Sequence, residues 1–385
     1  MNSADTRYFA PCPRGLEDVL VTELAHLGAR RAAAVAGGVG FLGDRLVGYR
    51  ANLESRLASR ILCSLGEGSY RTEQDIYAFV KSIDWTRWFT VERTLRVDVS
   101  AIRSPLKSLE FVTLRVKDAI CDRFRAEQGE RPTVDTQSPD VRVQVFLTVD
   151  AMTVYLDLSG DPLFKRGWRE DTGEAPLREN LAAGLVALSG WHPGTPFIDP
   201  MCGSGTIAIE AAQIAIGHAP GLDRSFGFER LRDFDPPLWT RLRDEARARI
   251  EQGRRQVTVF GSDREAAGVV AARANAVRAG VERVVQFEVA DVRRRLAPAP
   301  SGILVANPPY GVRMESRESL ELFYPQLGTA LKSLYAGWTA YLISPEMKLP
   351  GLLGLKASKR TVLYNGAIEC RLFEFAMVAG SNKRA

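Results

Sequence analysis

The second half of the chain alternates short apolar runs with helical patterns, and this alternation restricts the fold more than any other feature of the sequence. Nearly continuous apolar runs lie at residues 195–200, 257–262, 284–290, 302–306 and 338–343. Helical patterns lie among them at residues 206–216, 238–252, 265–280 and 320–335. Because such runs are typical of strands covered on both faces, we predict an α/β fold with a doubly wound parallel sheet.

The two ends of the chain follow other patterns. Near the C-terminus, two strand patterns at residues 359–365 and 368–376 flank Gly366 and predict a hairpin at the sheet edge. The first half gives helical patterns at residues 14–28, 52–62, 74–83 and 109–126. Strand patterns fall at residues 94–102, 141–149 and 152–158. We therefore expect a smaller α+β module first, with the main boundary at the turn-rich stretch 159–162.

Charge and composition narrow the class of protein. The 385 residues include 51 Lys and Arg against 46 Asp and Glu, a net charge of +5. Through residue 160 the two signs balance at 21 each, so the whole basic excess lies in the remainder, where 30 oppose 25. An excess of positive charge favours a polyanionic partner.

Cysteines and histidines exclude several kinds of site. The five cysteines are scattered without a CxxC pair, which indicates reduced thiols in a cytoplasmic protein. The three histidines are not clustered, so we expect no metal site. No apolar run reaches the roughly 18 residues of a membrane span, and no secretory signal is visible.

A glycine turn follows the first apolar run of the second half, in the sequence FIDPMCGSGT from residue 197. Its candidate ligand-binding residues are Asp199, Pro200, Gly203, Gly205 and Thr206. The glycines let the backbone approach a ligand, and a helix beginning near Thr206 offers free N–H groups to a carboxylate. The missing GK[ST] excludes a P-loop.

Acidic residues end the next two strand patterns. Asp263 is placed to accept hydrogen bonds from ribose hydroxyls, and Asp291 to bind an adenine amino group. Both aspartates also suit a helix cap, so each has a structural alternative.

The most specific motif is Asn307-Pro308-Pro309-Tyr310, directly after the buried run GILVA. The Asn307 side-chain oxygen and the Pro308 carbonyl can both accept from one planar amine, and Tyr310 offers a stacking face. Asn307 is also a candidate cofactor contact. A turn that merely ends a strand is the structural alternative.

These motifs resemble those of class I S-adenosylmethionine-dependent methyltransferases that methylate amino groups. The sequences PCPRGLEDVLVTEL, LFKRGWR and APLRENLAA, at residues 11–24, 163–169 and 175–183, resemble the THUMP-bearing RNA guanine-N2 methyltransferases, especially those acting on 23S rRNA. Phe164 and Trp168 stand where that family tends to have His and Tyr. Within LFKRGWR, Lys165, Arg166 and Arg169 suit either phosphate contacts or salt bridges in a linker.

The resemblance implies a domain order and a chemistry. Residues 1–55 would form a ferredoxin-like segment, 56–158 a THUMP RNA-binding domain and 159–385 the methyltransferase domain. It implies S-adenosylmethionine as cofactor, S-adenosylhomocysteine as product, and no metal. The partner would be 23S rRNA or a large-subunit precursor, with no obligate protein partner and no membrane.

Other substrates fit the same motifs. A tRNA guanine-N2 methyltransferase is the nearest alternative. Enzymes acting on protein glutamine-N5 or DNA adenine-N6 also carry related amine-binding motifs, and the THUMP resemblance argues against both. A non-catalytic RNA-binding protein would require two intact motifs to be vestigial.

Overall fold

The structure is a computed structural model that describes residues 5–169, 177–253, 259–310 and 317–378. The chain divides into two compact units, each discontinuous in sequence. The first unit comprises residues 1–11, 21–163 and 224–242, and the second comprises 12–20, 164–223 and 243–385. Ala175 and Pro176, which begin the sequence APLRENLAA, lie outside the described residues.

The elements before residue 160 are β1 (Thr6–Pro11), α1 (Glu17–His26), β2 (Arg30–Val35), β3 (Gly38–Gly43), α2 (Arg45–Glu54), β4 (Leu62–Ser69), α3 (Glu73–Ser82), β5 (Leu95–Ala101), α4 (Leu109–Gln128), β6 (Val141–Leu147) and β7 (Ala151–Asp157). The strands form one seven-stranded sheet in the order β2-β3-β1-β4-β7-β6-β5. Only β5 and β6 pair in parallel; the other neighbours are antiparallel.

The predicted helix over residues 52–62 is wrong. The helix in this region is α2, which begins after the cap Asp44 and ends at Glu54, and β4 begins at Leu62. The carboxylate of Glu23 ends the helical path, because it accepts hydrogen bonds from the backbone N–H groups of Arg56 (3.1 Å) and Leu57 (3.4 Å). This contact joins residues more than 30 positions apart, so local spacing does not reveal it.

The remaining helices and strands are α5 (Glu179–Leu188), β8 (Phe197–Asp199), α6 (Thr206–Ala215), α7 (Pro236–Gly253), β9 (Val259–Asp263), α8 (Ala266–Arg278), β10 (Val285–Val289), β11 (Gly302–Ala306), α9 (Arg317–Leu334), β12 (Trp338–Ser344), α10 (Leu349–Leu352), β13 (Lys359–Asn365) and β14 (Ile368–Ala376). Their sheet has the order β10-β9-β8-β11-β12-β14-β13. The five strands from β10 to β12 are parallel, and β13 and β14 form an antiparallel hairpin. The predicted doubly wound sheet with an edge hairpin is confirmed.

The strand order reverses at β8, which lies between β9 and β11. Ligands of open parallel sheets bind at this point, outside the carboxyl ends of the strands. A buried cluster that includes Trp338, Tyr335 and Phe373 packs against this part of the sheet. The cluster includes Leu304 and Ala306 of β11, the strand that ends directly before Asn307.

No helix within the described residues is long and apolar enough to cross a membrane.

Candidate active site

A cleft of about 240 Å³ opens at the carboxyl edge of the second sheet. Loops that follow β8, β9, β10 and β11 contribute its walls. The lining residues are Pro200, Met201, Gly203, Asp263, Arg264, Glu265, Asp291, Val292, Asn307, Pro309 and Phe323. The four sequence segments singled out as chemically informative therefore meet in one place.

The glycine turn after β8 has the backbone that the sequence predicts. Gly203 and Gly205 have φ angles of +49° and +87°, in the left-handed region that favours glycine. A Cβ on Gly203 would meet nothing within 4 Å, whereas one on Gly205 would lie 2.9 Å from the Phe287 ring. The backbone at Gly203 is thus open to a ligand, while Gly205 is required for packing. Thr206 begins α6 and is itself buried.

Asp199 ends β8 but does not line the cleft. It is 2% exposed and accepts a hydrogen bond from the Met201 N–H at 3.2 Å. Burial raises the pKa of its carboxyl well above the ordinary value, and the nearby Asp263 adds to the effect. The buried carboxyl therefore supports the turn through its hydrogen bond to Met201 and does not face the cleft.

Asp263 links two loops of the cleft. Its Oδ2 accepts from the Gly203 N–H at 2.9 Å, and its Oδ1 accepts from the Glu265 N–H at 3.0 Å. A carboxylate has about four acceptor positions, so roughly two remain for a ligand hydroxyl. The ligand-binding and structural interpretations of Asp263 are therefore compatible.

Asp291 is held by an arginine two residues further along the chain. Arg293 donates to it from its backbone N and from Nε, both at 2.9 Å to Oδ1, and from Nη2 to Oδ2. These hydrogen bonds are the main reason that the pKa of Asp291 is lowered. Arg293 also donates from Nη1 to Gln326 Oε1 of α9 at 2.7 Å. About one acceptor position of Asp291 remains for a ligand amine.

The four residues of the motif after β11 differ in their exposure and in whether they line the cleft. Asn307 and Pro309 line the cleft, Pro308 is buried, and Tyr310 is half-buried beside them. Tyr324 of α9 donates its hydroxyl to the Pro309 carbonyl at 2.8 Å. Burial raises the pKa of Tyr324 to about 12, so this group stays a neutral donor. Among the described residues, nothing hydrogen-bonds to the Asn307 carboxamide or the Pro308 carbonyl.

The sequence interpretation missed several residues at the cleft. Glu265, Val292 and Phe323 line it, and Tyr324 and Arg293 orient its groups. Glu265 and Val292 lie within two residues of Asp263 and Asp291, which the sequence singled out, so their position could have been inferred. Nothing in the local sequence marks Phe323 and Tyr324, because α9 reaches the cleft only through tertiary packing.

The available groups fit S-adenosylmethionine. Open backbone at Gly203 before a helix start suits a carboxylate, the free acceptor positions of Asp263 suit ribose hydroxyls, and Val292 with Phe323 offers apolar walls. Among the described residues, no group of three or more His, Cys, Asp or Glu side chains is arranged to hold a metal ion.

Three family models match consecutive parts of the chain. Residues 7–62 match an RlmL ferredoxin-like domain, and residues 70–157 match a THUMP domain. Residues 166–374, more than half of the chain, match an RMKL-like methyltransferase domain.

Solved structures agree over nearly the full length. A protein described as a possible methylase from Clostridium difficile 630 is 32% identical, with a TM-score of 0.89, and covers 99% of this chain and 100% of its own. The methyltransferase SMU.472, solved in complex with SAH, is 30% identical with a TM-score of 0.88 and full coverage of both chains. A protein described as a predicted N6-adenine-specific DNA methylase from Listeria monocytogenes is 31% identical, with a TM-score of 0.87 and 96% coverage of each chain.

Proposed function

This chain belongs to the RMKL-like methyltransferase family and is S-adenosylmethionine-dependent, and we propose that it methylates the exocyclic N2 amine of a guanine in 23S rRNA. The observation that carries the proposal is the pair of acceptors at the cleft. The Asn307 carboxamide oxygen and the Pro308 carbonyl follow the same strand end, and neither has a hydrogen-bond partner among the described residues. Two such acceptors match the two N–H groups of a planar amine.

The residues that line the cleft support an assignment of the cofactor contacts. The turn from Gly203 to Thr206 binds the methionine part, with Pro200 beside it and Asp199 supporting the turn from behind. Asp263 accepts from the ribose hydroxyls, and Asp291 accepts from the adenine amino group through its remaining position. When bound, S-adenosylmethionine supplies an electrophilic methyl group.

The chemistry left to the protein is positioning. A guanine turned out of its stack lies on Tyr310, and its N2 amine donates to Asn307 and Pro308. These hydrogen bonds orient the nitrogen lone pair toward the methyl carbon, so that an N–C bond forms as the C–S bond breaks. The nitrogen then releases one proton to solvent. Such positioning, with electrostatic stabilisation of the developing positive charge by the two carbonyl oxygens, needs no covalent intermediate.

RNA is favoured over DNA and protein by the first half of the chain. THUMP and RlmL ferredoxin-like models together match residues 7–62 and 70–157, and THUMP modules accompany RNA modification. The Listeria protein carries a DNA-methylase description. The similarity between the Listeria protein and this chain includes the first half. A DNA substrate would therefore leave the match of that half to a THUMP domain unexplained.

The test is transfer of labelled methyl groups from S-adenosylmethionine to 23S rRNA, total tRNA, adenine-containing DNA and a release factor, side by side. We expect label in 23S rRNA, recovered as N2-methylguanosine. In Asn307→Ala, kcat should fall about 10²–10³-fold, as for loss of one positioned hydrogen-bonding group at a reaction centre. Asn365→Ala at the tip of the β13–β14 hairpin is the matched control and should keep full activity.

Each other outcome has a definite meaning. Label recovered from tRNA as N2-methylguanosine keeps the chemistry and overturns the substrate. N6-methyladenine in DNA, or label in protein alone, overturns the guanine assignment. Full activity of Asn307→Ala would remove the proposed amine-binding role of that residue.

A further inference from the structure

We propose that Arg169 and Asn275 are positioning residues that hold the turn from Gly203 to Thr206 in its cofactor-binding conformation. Neither residue lines the cleft. The proposal rests on the cofactor site described above, and it does not depend on which RNA is methylated. It assigns a role to the segment LFKRGWR, which the sequence left open between phosphate contact and linker salt bridge.

Arg169 is bonded to the helix start that follows the turn. Its side chain is only 6% exposed. One guanidinium nitrogen, Nη2, donates to the Thr206 hydroxyl and to the Leu177 carbonyl (3.1 Å). Its Nε lies 3.5 Å from Glu179 Oε1, at the first residue of α5. A single guanidinium therefore ties the start of α6 to the start of α5, and a lysine could not reproduce this fork.

Asn275 of α8 holds the turn from the other side. Its Nδ2 donates to the Ser204 carbonyl at 2.9 Å, and its side chain is buried. Its Oδ1 accepts from Arg278, whose Nε donates to the Trp168 carbonyl at 2.7 Å. The segment that carries Arg169 is thus connected to the turn by two separate routes.

Together these bonds fix every residue of the turn. The Gly203 N–H donates to Asp263, the Ser204 carbonyl accepts from Asn275, and the Gly205 N–H donates to the Cys202 carbonyl at 2.8 Å. Thr206 accepts from Arg169. Two of the four residues are glycines with positive φ, and glycine loses more conformational freedom than any other residue when the chain is ordered. A turn that is already ordered loses less entropy when a ligand binds, so the network should appear as cofactor affinity.

A neighbouring ion pair shows what a purely structural role would look like. Arg166 Nε lies 3.2 Å from Glu210 Oε1, with side chains 2% and 0% exposed. Glu210 is one helical turn beyond Thr206 on α6, so this pair anchors the same segment to the helix that follows the turn. We therefore expect it to support folding and to leave the turn's own bonds intact.

The experiment measures the Kd for S-adenosylhomocysteine by calorimetry, without RNA, together with urea unfolding of each variant. The variants are Arg169→Lys and Asn275→Ala, together with Thr206→Val alone and combined with Arg169→Lys to complete a double-mutant cycle. Exposed Arg247→Lys on α7 and Thr329→Val on α9 are matched controls, because within the described part of the chain their side chains hydrogen-bond to residues of their own helices. We expect Kd to rise about tenfold in Arg169→Lys and in Asn275→Ala and to stay within about twofold in the controls.

Two further readouts separate positioning from general destabilisation. Positioning predicts a higher KM for S-adenosylmethionine with kcat at saturation within about threefold, because the cleft residues are unchanged. It also predicts that Thr206→Val adds little once Arg169 is lysine, since both changes remove one bond.

Unchanged Kd in folded Arg169→Lys and Asn275→Ala would overturn the proposal, as would additive effects in the double variant. Failure of the wild-type chain to bind S-adenosylhomocysteine would instead overturn the cofactor site itself.

Discussion

The two seven-stranded sheets place their loops differently. In the first, β5 and β6 are the one parallel pair of neighbours, so the carboxyl ends of neighbouring strands otherwise alternate between the two edges of the sheet. In the second, five neighbouring strands are parallel, so their carboxyl ends meet at one edge. Asp199, Asp263, Asp291 and Asn307 each end or follow one of these strands. Parallel pairing thus gathers residues that are far apart in sequence, and motifs placed after strands predict a common site.

The first unit offers no comparable signal. A groove of about 1260 Å³ opens on it, and its ionisable lining includes three arginines and five carboxylates. These are Arg7, Arg45, Arg87, Asp5, Asp44, Glu67, Asp233 and Asp235. The described lining of the groove has no excess of positive charge, and it contains none of the motifs that the sequence singled out. The ligand of this groove therefore cannot be inferred from the sequence. The function of this half was inferred by resemblance alone.

The largest effects should come from one buried tryptophan in each unit. Trp85 and Trp338 are 0% and 1% exposed, and each indole N–H donates to a backbone carbonyl, of Val80 (2.8 Å) and Ala299 (2.9 Å) respectively. Replacement by alanine should lower the free energy of unfolding by about 3–5 kcal/mol in either case. Urea unfolding followed separately in each variant measures this loss.

Binding of S-adenosylhomocysteine should respond differently to the two tryptophan replacements. Trp85→Ala should leave the Kd for S-adenosylhomocysteine within about twofold, because the cavity that it creates lies in the first unit. Trp338→Ala should weaken binding, since its cluster supports β11 and β12. Equal loss of binding in both variants would contradict the view that the second unit carries the site by itself.

A smaller effect should separate the two glycines of the turn. Gly203→Ala introduces a left-handed non-glycine residue, at about 1–2 kcal/mol, into open space. Gly205→Ala adds to the same strain a Cβ 2.9 Å from the Phe287 ring and 3.0 Å from the Ala272 Cβ. Unfolding should therefore be affected more by Gly205→Ala. If Gly203→Ala were the more destabilising change, the packing described for the turn would be wrong.

The smallest expected effect is a pH dependence from Asp199. Its folded-state pKa is raised by burial above the unfolded value of about 3.9, so the folded state binds the proton more tightly. The unfolding free energy should fall as pH rises from about 4 through the raised pKa, and Asp199→Asn should remove that decline. Urea unfolding across about pH 4–8 tests the sign.

Asp291→Asn is the matched control for this measurement. The folded-state pKa of Asp291 is lowered by Arg293, so its stabilising contribution is complete above about pH 4 and is lost only below it. It should leave the slope between about pH 4 and 8 unchanged. A slope in Asp199→Asn equal to that of the wild-type chain would show that the Asp199 carboxyl is ionised in the folded protein over this range.

Several structural features were accessible from the sequence because they are local. Apolar runs followed by helical spacing predicted the parallel sheet, and Gly366 predicted the turn between β13 and β14. The glycine turn after residue 199 was predicted in the same way, and the structure gives Gly203 and Gly205 positive φ there. The helix predicted at residues 52–62 failed because the Glu23 carboxylate, distant in sequence, takes the backbone N–H groups that a helix would use.

The sequence by itself determined the order of strands and helices in the second half and the four loop segments that meet at the cleft. Both depend on periodicity and on residues adjacent in the chain. Only the tertiary structure decided that Tyr324 holds the Pro309 carbonyl, that Arg293 holds Asp291 against α9, and that Arg169 and Asn275 grip the turn. Most of these contacts join elements separated by many residues, and their energies exist only when packing brings the elements together.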